Sequence, residues 1–140
     1  MTNAIDTLAL LRTFLLTDGT LATAVSNRIW VGEVPDDELS SMPRDAVLIV
    51  TDSSQTSISI PVIRDRPQII CYGGTDRAAY QVYLKVYNAM QRKGLQSVDT
   101  SARLMQAYKS GGPISFPELE LGWARVSAFF TCVWAENVMV

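Results

Sequence analysis

The N-terminal part of the chain has the hydrophobic pattern of two helices and a short strand. Apolar residues recur every three or four positions, at Ile5, Leu8, Leu11 and Leu15. This spacing predicts a helix, for which Asn3 is the expected cap and Asp6 a favourable charge in the first turn. Asp18 is placed to cap a second short helix that ends near Val25, and the apolar run 29–31 predicts a strand.

A proline-bounded acidic segment, Gly32–Arg44, comes next. It contains Asp36, Asp37 and Glu38 and predicts a loop. Two interpretations of this loop stay open, because it suits either a solvated connection between elements or an arm that reaches a neighbouring subunit.

The middle of the chain predicts two paired strands. Ala46–Thr51 is almost continuously apolar, which indicates a strand in the middle of a sheet. The polar segment 53–59 is expected to be a flexible loop, and Pro61–Tyr72 is expected to return as a strand. An antiparallel hairpin is the simplest pairing of the two strands. Pro67 should lie at a bulge or an edge, because proline has no amide donor.

The clearest helix follows this strand. Thr75 is its expected N-cap and Gly94 its expected C-terminal glycine. Its apolar arc is wider than the stripe of about 100° that one sheet covers, because Tyr80, Leu84 and Tyr87 extend it by a shoulder. That shoulder requires a second partner, which is either the first helix or another chain.

The C-terminal part of the chain predicts further strands. The weakly patterned segment Leu95–Tyr108 is predicted to be a strand, and Lys109–Pro113 a turn. The run Glu118–Glu136 alternates like one strand, which at about 3.3 Å per residue would be about 60 Å long. Globular strands usually reach about ten residues, so this run must bend, bulge near Gly122 or project. The whole chain, 1–140, is expected to form one domain.

The amino-acid composition limits the kinds of catalysis and binding that the chain can support. The 140 residues include no histidine, which excludes histidine-dependent catalysis and histidine-ligated zinc, so an enzyme is disfavoured. The net charge of −2 offers no broad surface for nucleic acid. No targeting or membrane-spanning segment is predicted. Cys71 and Cys132 lie in apolar runs and are expected to be reduced structural thiols.

Three polar motifs invite a chemical interpretation, and each has a simpler structural one. Residues 73–76 join a strand to a helix N-terminus, but they lack the glycine pattern of phosphate-binding loops. Glu118 and Glu120 share a strand face without a shaped site. Arg64 and Arg66 also share a face, which suits a salt bridge to another subunit, a DNA-facing lumen or, most simply, an exposed strand. No cofactor and no metal site is predicted.

Four stretches of the chain carry a family resemblance in their order and character. Leu10–Ala22 and Asn27–Trp30 look like a helix pair with a short strand. Arg66–Gly73, with the helix from Thr75, looks like a strand-then-helix centre, and Trp123–Trp134 looks like a closing strand. In this order they resemble the small tail-terminator, or tail-completion, proteins of bacteriophages with long non-contractile tails.

The resemblance implies an α+β domain with a mostly antiparallel sheet, and with an N-terminal helix pair and one long central helix packed on one side. It implies a structural virion protein of the tail or neck, not an enzyme, that is assembled in the host cytoplasm. A hexameric ring of such chains would cap the completed tail tube, stop its polymerisation and form part of the head–tail joint. The implied partners are other copies of the chain, the major tail tube protein and a head-completion or neck protein. DNA would only pass through the lumen, with no sequence-specific binding and no membrane contact.

The expected contact residues follow from these patterns and from the resemblance. Subunit contacts are expected on the helix shoulder and in the two polar loops. The residues are Tyr80, Leu84, Tyr87, Asp36, Asp37, Glu38, Gln55 and Ile58. Arg64 and Arg66 are expected to face the lumen or a neighbouring subunit. Two alternative functions stay open: a head-completion or connector-adaptor neck protein, and a small cytoplasmic domain that binds a ligand or uses carboxylates in catalysis.

Overall fold

A sheet with helices on one side forms the fold. The computed structural model describes residues 6–51, 56–59, 62–91, 96–97, 102–115 and 122–136, which form four helices and eight strands. The helices are α1 (Thr7–Leu16), α2 (Gly19–Ala24), α3 (Asp36–Leu39) and α4 (Asp76–Met90). The strands are β1 (Ile29–Val31), β2 (Ala46–Val50), β3 (Thr56–Ser59), β4 (Val62–Asp65), β5 (Gln68–Gly73), β6 (Gln96–Ser97), β7 (Ala102–Ser115) and β8 (Ala124–Glu136).

Strand β8 organises the sheet. The strand order is β1-β2-β5-β8-β4-β3, and β7 also pairs with β8 and carries β6 on its other side. Along one edge, β8 pairs with β5 and then with β4, whereas β7 follows its other edge. The β1–β2 pair is parallel, and the other described pairs are antiparallel. The predicted α+β class with a mostly antiparallel sheet is therefore confirmed.

The two faces of the sheet are covered differently. Helices α1, α2 and α4 pack on one face, which we call the helix-covered face. Its main core includes Leu11, Leu15, Leu21, Val47, Ile69, Val82, Val86, Val126, Phe130 and Trp134. The opposite face, which α1, α2 and α4 leave uncovered and which we call the helix-free face, carries the one-turn α3 segment beside a smaller cluster over β2 and β5. That cluster contains Met42, Ala46, Leu48, Ile70, Tyr72 and Trp123.

The helix caps follow the sequence closely. Asp18 accepts a hydrogen bond from the Leu21 amide at 3.0 Å, and this begins α2 as predicted. The Thr75 cap of α4 is also confirmed, but α4 ends at Met90 with Gln91 as C-cap, and Gly94 lies outside the described residues. The cap of α1 is Asp6 and not the predicted Asn3, because the Asp6 carboxylate accepts from the Ala9 amide at 3.1 Å.

Two predictions for the middle of the chain need correction. The predicted strand 61–72 is divided into β4 and β5, and the expected irregularity at Pro67 takes the form of this break. Thr56–Ser59 was predicted to be loop but forms β3, because its backbone pairs with β4. Within the predicted loop Gly32–Arg44, the short helix α3 forms one turn. The predicted antiparallel pairing of the strand at 46–51 is confirmed, because β2 pairs with β5 in this direction.

The predicted turn at Lys109–Pro113 is wrong, because β7 continues through it. Residues before and after this segment pair with β8. The register of that pairing shifts between Lys109 and Gly111 and again between Gly111 and Ile114. Gly112 has φ +82°, and an added Cβ there would lie 2.8 Å from the Ser127 carbonyl oxygen. Two glycines and a proline therefore form bulges in a strand instead of a turn.

The long apolar run near the C-terminus is shortened by a glycine. Gly122 has φ +71°, which suits glycine and disfavours extended pairing, and β8 begins two residues later. Its 13 residues extend about 43 Å at about 3.3 Å per residue. Of the predicted run 118–136, the described residues form strand only from Ala124, so the strand does not continue unbroken through Gly122; Glu118 and Glu120 lie outside the described residues.

Candidate functional site

The buried thiols are structural. Cys71 and Cys132 are both buried on the helix-covered face and form no disulfide. Burial raises the pKa of the Cys71 thiol far above its ordinary range, and burial with a smaller contribution from Asp65 raises that of Cys132. Both thiols therefore stay protonated at neutral pH and are poor nucleophiles or metal ligands.

The part of the chain that the structure describes offers neither a metal centre nor a membrane helix. No three side chains of the cysteine, aspartate or glutamate type converge there in a way that suits a metal ion. No helix among these residues combines the length and apolar character that a membrane crossing requires. The segment 73–76 forms the predicted strand-to-helix turn, in which a Cβ on Gly73 would lie 2.4 Å from the Ala79 amide nitrogen.

The candidate site is therefore a set of surfaces, and the first is on α4. The rings of Tyr80 and Tyr83 lie 5.8 Å apart, and those of Tyr83 and Tyr87 lie 6.2 Å apart. Tyr83 is buried, and burial raises the pKa of its hydroxyl, with smaller effects of Tyr80, Tyr87 and Cys71. Leu84 and Tyr87 pack partly against the main core, whereas Tyr80 is 43% exposed.

This arrangement answers one question that the sequence left open. The wide apolar arc of α4 has its second partner within the same chain, because α4 contacts α1 and α2 as well as the sheet. Of the three residues expected on the shoulder, Tyr80 is the most exposed, while Leu84 and Tyr87 are half-buried.

The second surface is the acidic helix α3. Asp36 and Asp37 are exposed, and Leu39 is 40% exposed. Glu38 instead forms a salt bridge with Arg44 of its own chain. Residues three apart share one side of a helix, so Asp36 and Leu39 lie together, away from the side that Glu38 uses.

A small charge cluster anchors α3 to the sheet. The Arg28 Nε donates to the Asp45 carbonyl oxygen at 2.9 Å, beside the Glu38–Arg44 pair. Burial lowers the pKa of the Arg28 guanidinium, and the positive charge of the nearby Arg44 lowers it further. The negative charges of Glu38 and Asp45 raise it by less, so the pKa is lowered overall. Val34 and Met42 on either side of α3 pack on the helix-free face.

The third surface contains the two predicted arginines. Arg64 is exposed and pairs in register with Val133, so it lies on the helix-free face. The Arg66 guanidinium carbon lies 4.2 Å from the centre of the Phe129 ring, and its Nε donates to the Ser110 Oγ at 3.1 Å. The predicted sharing of one face by Arg64 and Arg66 agrees with this placement.

Asp65, between the two arginines, lies on the opposite face. Its carboxylate is buried and accepts hydrogen bonds from the Thr7 hydroxyl and, at 3.3 Å, from the Trp134 indole nitrogen. Asp65 therefore fastens the start of α1 to the sheet, a role that the sequence analysis did not assign.

Two exposed apolar residues of β7 were also missed. Tyr108 and Ile114 are 40% and 53% exposed. They pair with Thr131 and Ser127, so both lie on the helix-free face. Thr131 is two residues along β8 from Val133, the partner of Arg64, and Ser127 is six residues from it. Tyr108 ends the predicted strand Leu95–Tyr108 and Ile114 follows the predicted turn Lys109–Pro113, so the continuous strand that presents both of them was not expected. Gln55 lies outside the described residues, and Ile58 is placed only as part of β3.

The comparisons with known proteins add no relative. Neither the scan against protein-family models nor the search of curated proteins finds a match to this chain.

Proposed function

We propose that this protein is a structural component of a long non-contractile bacteriophage tail. Copies of the chain form a ring, hexameric as in the family that it resembles, on the end of the completed tail tube. The ring stops polymerisation of the tube protein and provides the surface to which the neck of the capsid attaches. The protein acts through assembly and not through catalysis.

One observation carries the proposal: the resemblance follows the order of elements along most of the chain. The resembling stretches correspond to α1, α2 and β1, to β5 with α4, and to β8. These elements belong to one sheet with the helices on one side, which is the arrangement that the resemblance implies.

The exposed surfaces offer a second line of support. A protein that acts by assembly needs contact surfaces and not a pocket, and a ring subunit needs two different ones. Exposed large apolar residues occur on α3, α4 and β7, at Leu39, Tyr80, Tyr108 and Ile114. They are distributed over separate parts of the surface, as contacts with several neighbours require.

The test is the length of the tails that form without the protein. Tails are measured by electron microscopy in lysates of a phage that encodes the chain, with its gene deleted and with the deletion complemented by the wild-type gene. We expect overlong tails of variable length, without heads, in the deletion alone. Complementation should restore tails of one length that carry heads.

Two other outcomes would contradict the proposal in different ways. Tails of normal length beside detached, DNA-filled heads would assign the protein to the neck as a head-completion or connector-adaptor protein. Normal virions would mean that the protein is not part of tail completion. A pull-down with the tail tube protein and with the portal complex separates the first two cases, because a terminator should retain the tube protein.

A further inference from the structure

The helix-free face of β4, β7 and β8 is basic and partly apolar. Arg64 is exposed there, and Arg66 and Arg125 share the face by position and register. Among the described side chains of these strands and of β5, none on this face is a carboxylate, because Asp65 points to the helices. Tyr108 and Ile114 add exposed apolar area beside the charges.

The α3 helix has the opposite character. It exposes Asp36 and Asp37 together with the apolar side chain of Leu39. Glu38 forms an ion pair with Arg44 of its own chain, so Asp36 and Asp37 supply the exposed negative charge of α3. This surface therefore complements the first in charge and also offers an apolar residue to contact Tyr108.

The α3 segment and β7 lie on opposite sides of β8, whereas Arg64, on β4, lies on the same side of β8 as β5 but farther along the strand. β1 and β2 flank the α3 segment, which packs through Val34 and Met42 onto the helix-free face. β7 lies beyond β5 and β8, on the other side of the sheet. Two different, complementary patches are what a head-to-tail contact between identical chains requires.

We propose that α3 of one copy docks on the helix-free face of β4 and β7 of the next copy, with Asp36 and Asp37 against Arg64 and with Leu39 against Tyr108. The inference rests on the proposed function for the closure of these contacts into a ring. It assigns Arg64 to a subunit contact and not to the lumen.

The test is an exchange of charge between the two surfaces. Variant A is Asp36→Lys/Asp37→Lys, which makes both surfaces basic, and variant B is Arg64→Glu/Arg66→Glu, which makes both acidic. Self-association of wild type, A, B and a 1:1 mixture is measured by sedimentation velocity of the full chain. Thermal unfolding of each variant verifies that it is folded.

We expect wild-type protein to associate and each variant alone to associate at least about tenfold more weakly, because like charges then face one another. The mixture should associate like wild type. When copies of A and B alternate, a basic surface of A faces an acidic surface of B at every contact. Raising the salt concentration from about 0.1 M to about 0.5 M should weaken the association of wild type and of the mixture.

The matched control is Arg77→Glu/Lys85→Glu on α4, which changes the net charge by the same amount as B but alters the helix layer. It should associate like wild type. The proposal is overturned if wild type stays monomeric at millimolar concentration, if A and B associate like wild type, or if their mixture fails to recover. A variant B that instead loses affinity for a double-stranded DNA oligonucleotide and keeps its self-association would overturn it in favour of a lumen contact.

This experiment is separate from the measurement of tail length. Loss of the charge-dependent contact with a normal terminator phenotype would mean that the ring uses another surface. Recovery of association by the mixture, together with normal tails in the gene deletion, would leave the contact valid and remove the proposed function.

Discussion

The helix-covered face and the helix-free face belong to the same strands but meet different demands. On the helix-covered face, β8 contributes Val126, Ala128, Phe130 and Trp134 to a continuous core. On the helix-free face, the neighbouring Phe129 is only half-buried beneath the Arg66 guanidinium. Side chains alternate between faces along a strand, so adjacent residues report on different environments.

The comparison teaches that the two faces differ in how completely they are covered. The helix-covered face carries the main core, whereas the helix-free face has a smaller core over β2 and β5 and exposed residues such as Arg64 and Tyr108 farther along. Substitutions at neighbouring residues therefore separate buried from exposed environments: two pairs compare the two faces, and a third compares a buried glycine with its exposed neighbour.

The largest expected difference is between Phe130 and Phe129. Phe130→Ala should lower the free energy of unfolding by about 3–5 kcal/mol, because it leaves a cavity in the main core. Phe129→Ala should cost about 1–2 kcal/mol, from partial burial and the contact with Arg66. Urea unfolding of both variants measures the difference, and equal costs would mean that the helix-free face is as tightly packed as the core.

The next pair is Asp65 and Arg64. Asp65→Ala should cost about 2–4 kcal/mol, because it removes the buried acceptor of the Thr7 hydroxyl and the Trp134 indole N–H. Arg64→Ala should change stability by less than about 0.5 kcal/mol, since the side chain is exposed. Chemical denaturation checks both, and a large cost at Arg64 would contradict its assignment to an assembly surface.

A smaller effect is expected where β5 meets α4. Gly73→Ala should cost about 1–3 kcal/mol, because the new Cβ would lie 2.4 Å from the Ala79 amide nitrogen and 2.7 Å from the Ala78 carbonyl carbon. Gly74→Ala should stay within about 0.5 kcal/mol, since nothing lies within 4 Å of its Cβ position. Thermal unfolding distinguishes the two variants, and a tolerated Gly73→Ala would show that the junction can relax.

The smallest predicted effect is a pH dependence from Cys71 and Cys132. Their thiols have raised pKa values in the folded state, so the folded protein keeps protons that the unfolded chain releases above its thiol pKa of about 8.5. The stabilisation is complete below that pH and declines as the pH rises. Between pH 8 and pH 9 the two thiols together should lower the free energy of unfolding by about 1 kcal/mol.

The control for this pH dependence is Cys71→Ala/Cys132→Ala, compared by the slope of stability against pH and not by its absolute value. The slope between pH 8 and pH 9 should become flatter in the variant. An unchanged slope would assign the pH dependence to other groups.

Local signals in the sequence predicted the elements that depend on local interactions. Asp18 and Thr75 begin helices through hydrogen bonds to amides three residues later, and this chemistry is visible from residue type alone. The apolar strand at 46–50 also lies inside the sheet, as its pattern indicated.

Distant pairing determined what the sequence could not show. Gly111, Gly112 and Pro113 have the local preferences of a turn, but pairing with β8 keeps them in β7 as bulges. The candidate surfaces were predictable where alternation placed Arg64 and Arg66 on one face. Tyr108 and Ile114 were missed, because their exposure follows from the continuation of β7 past those glycines.

The position of β8 in the chain has a consequence for synthesis. β4, β5 and β7 are all made before β8, and each needs β8 as a partner. A nascent chain therefore holds several strands with open edges until β8 leaves the ribosome, and open edges favour pairing between chains. Many copies made at once would meet in this incomplete state, so synthesis rate and chaperone capacity should set the yield of folded protein.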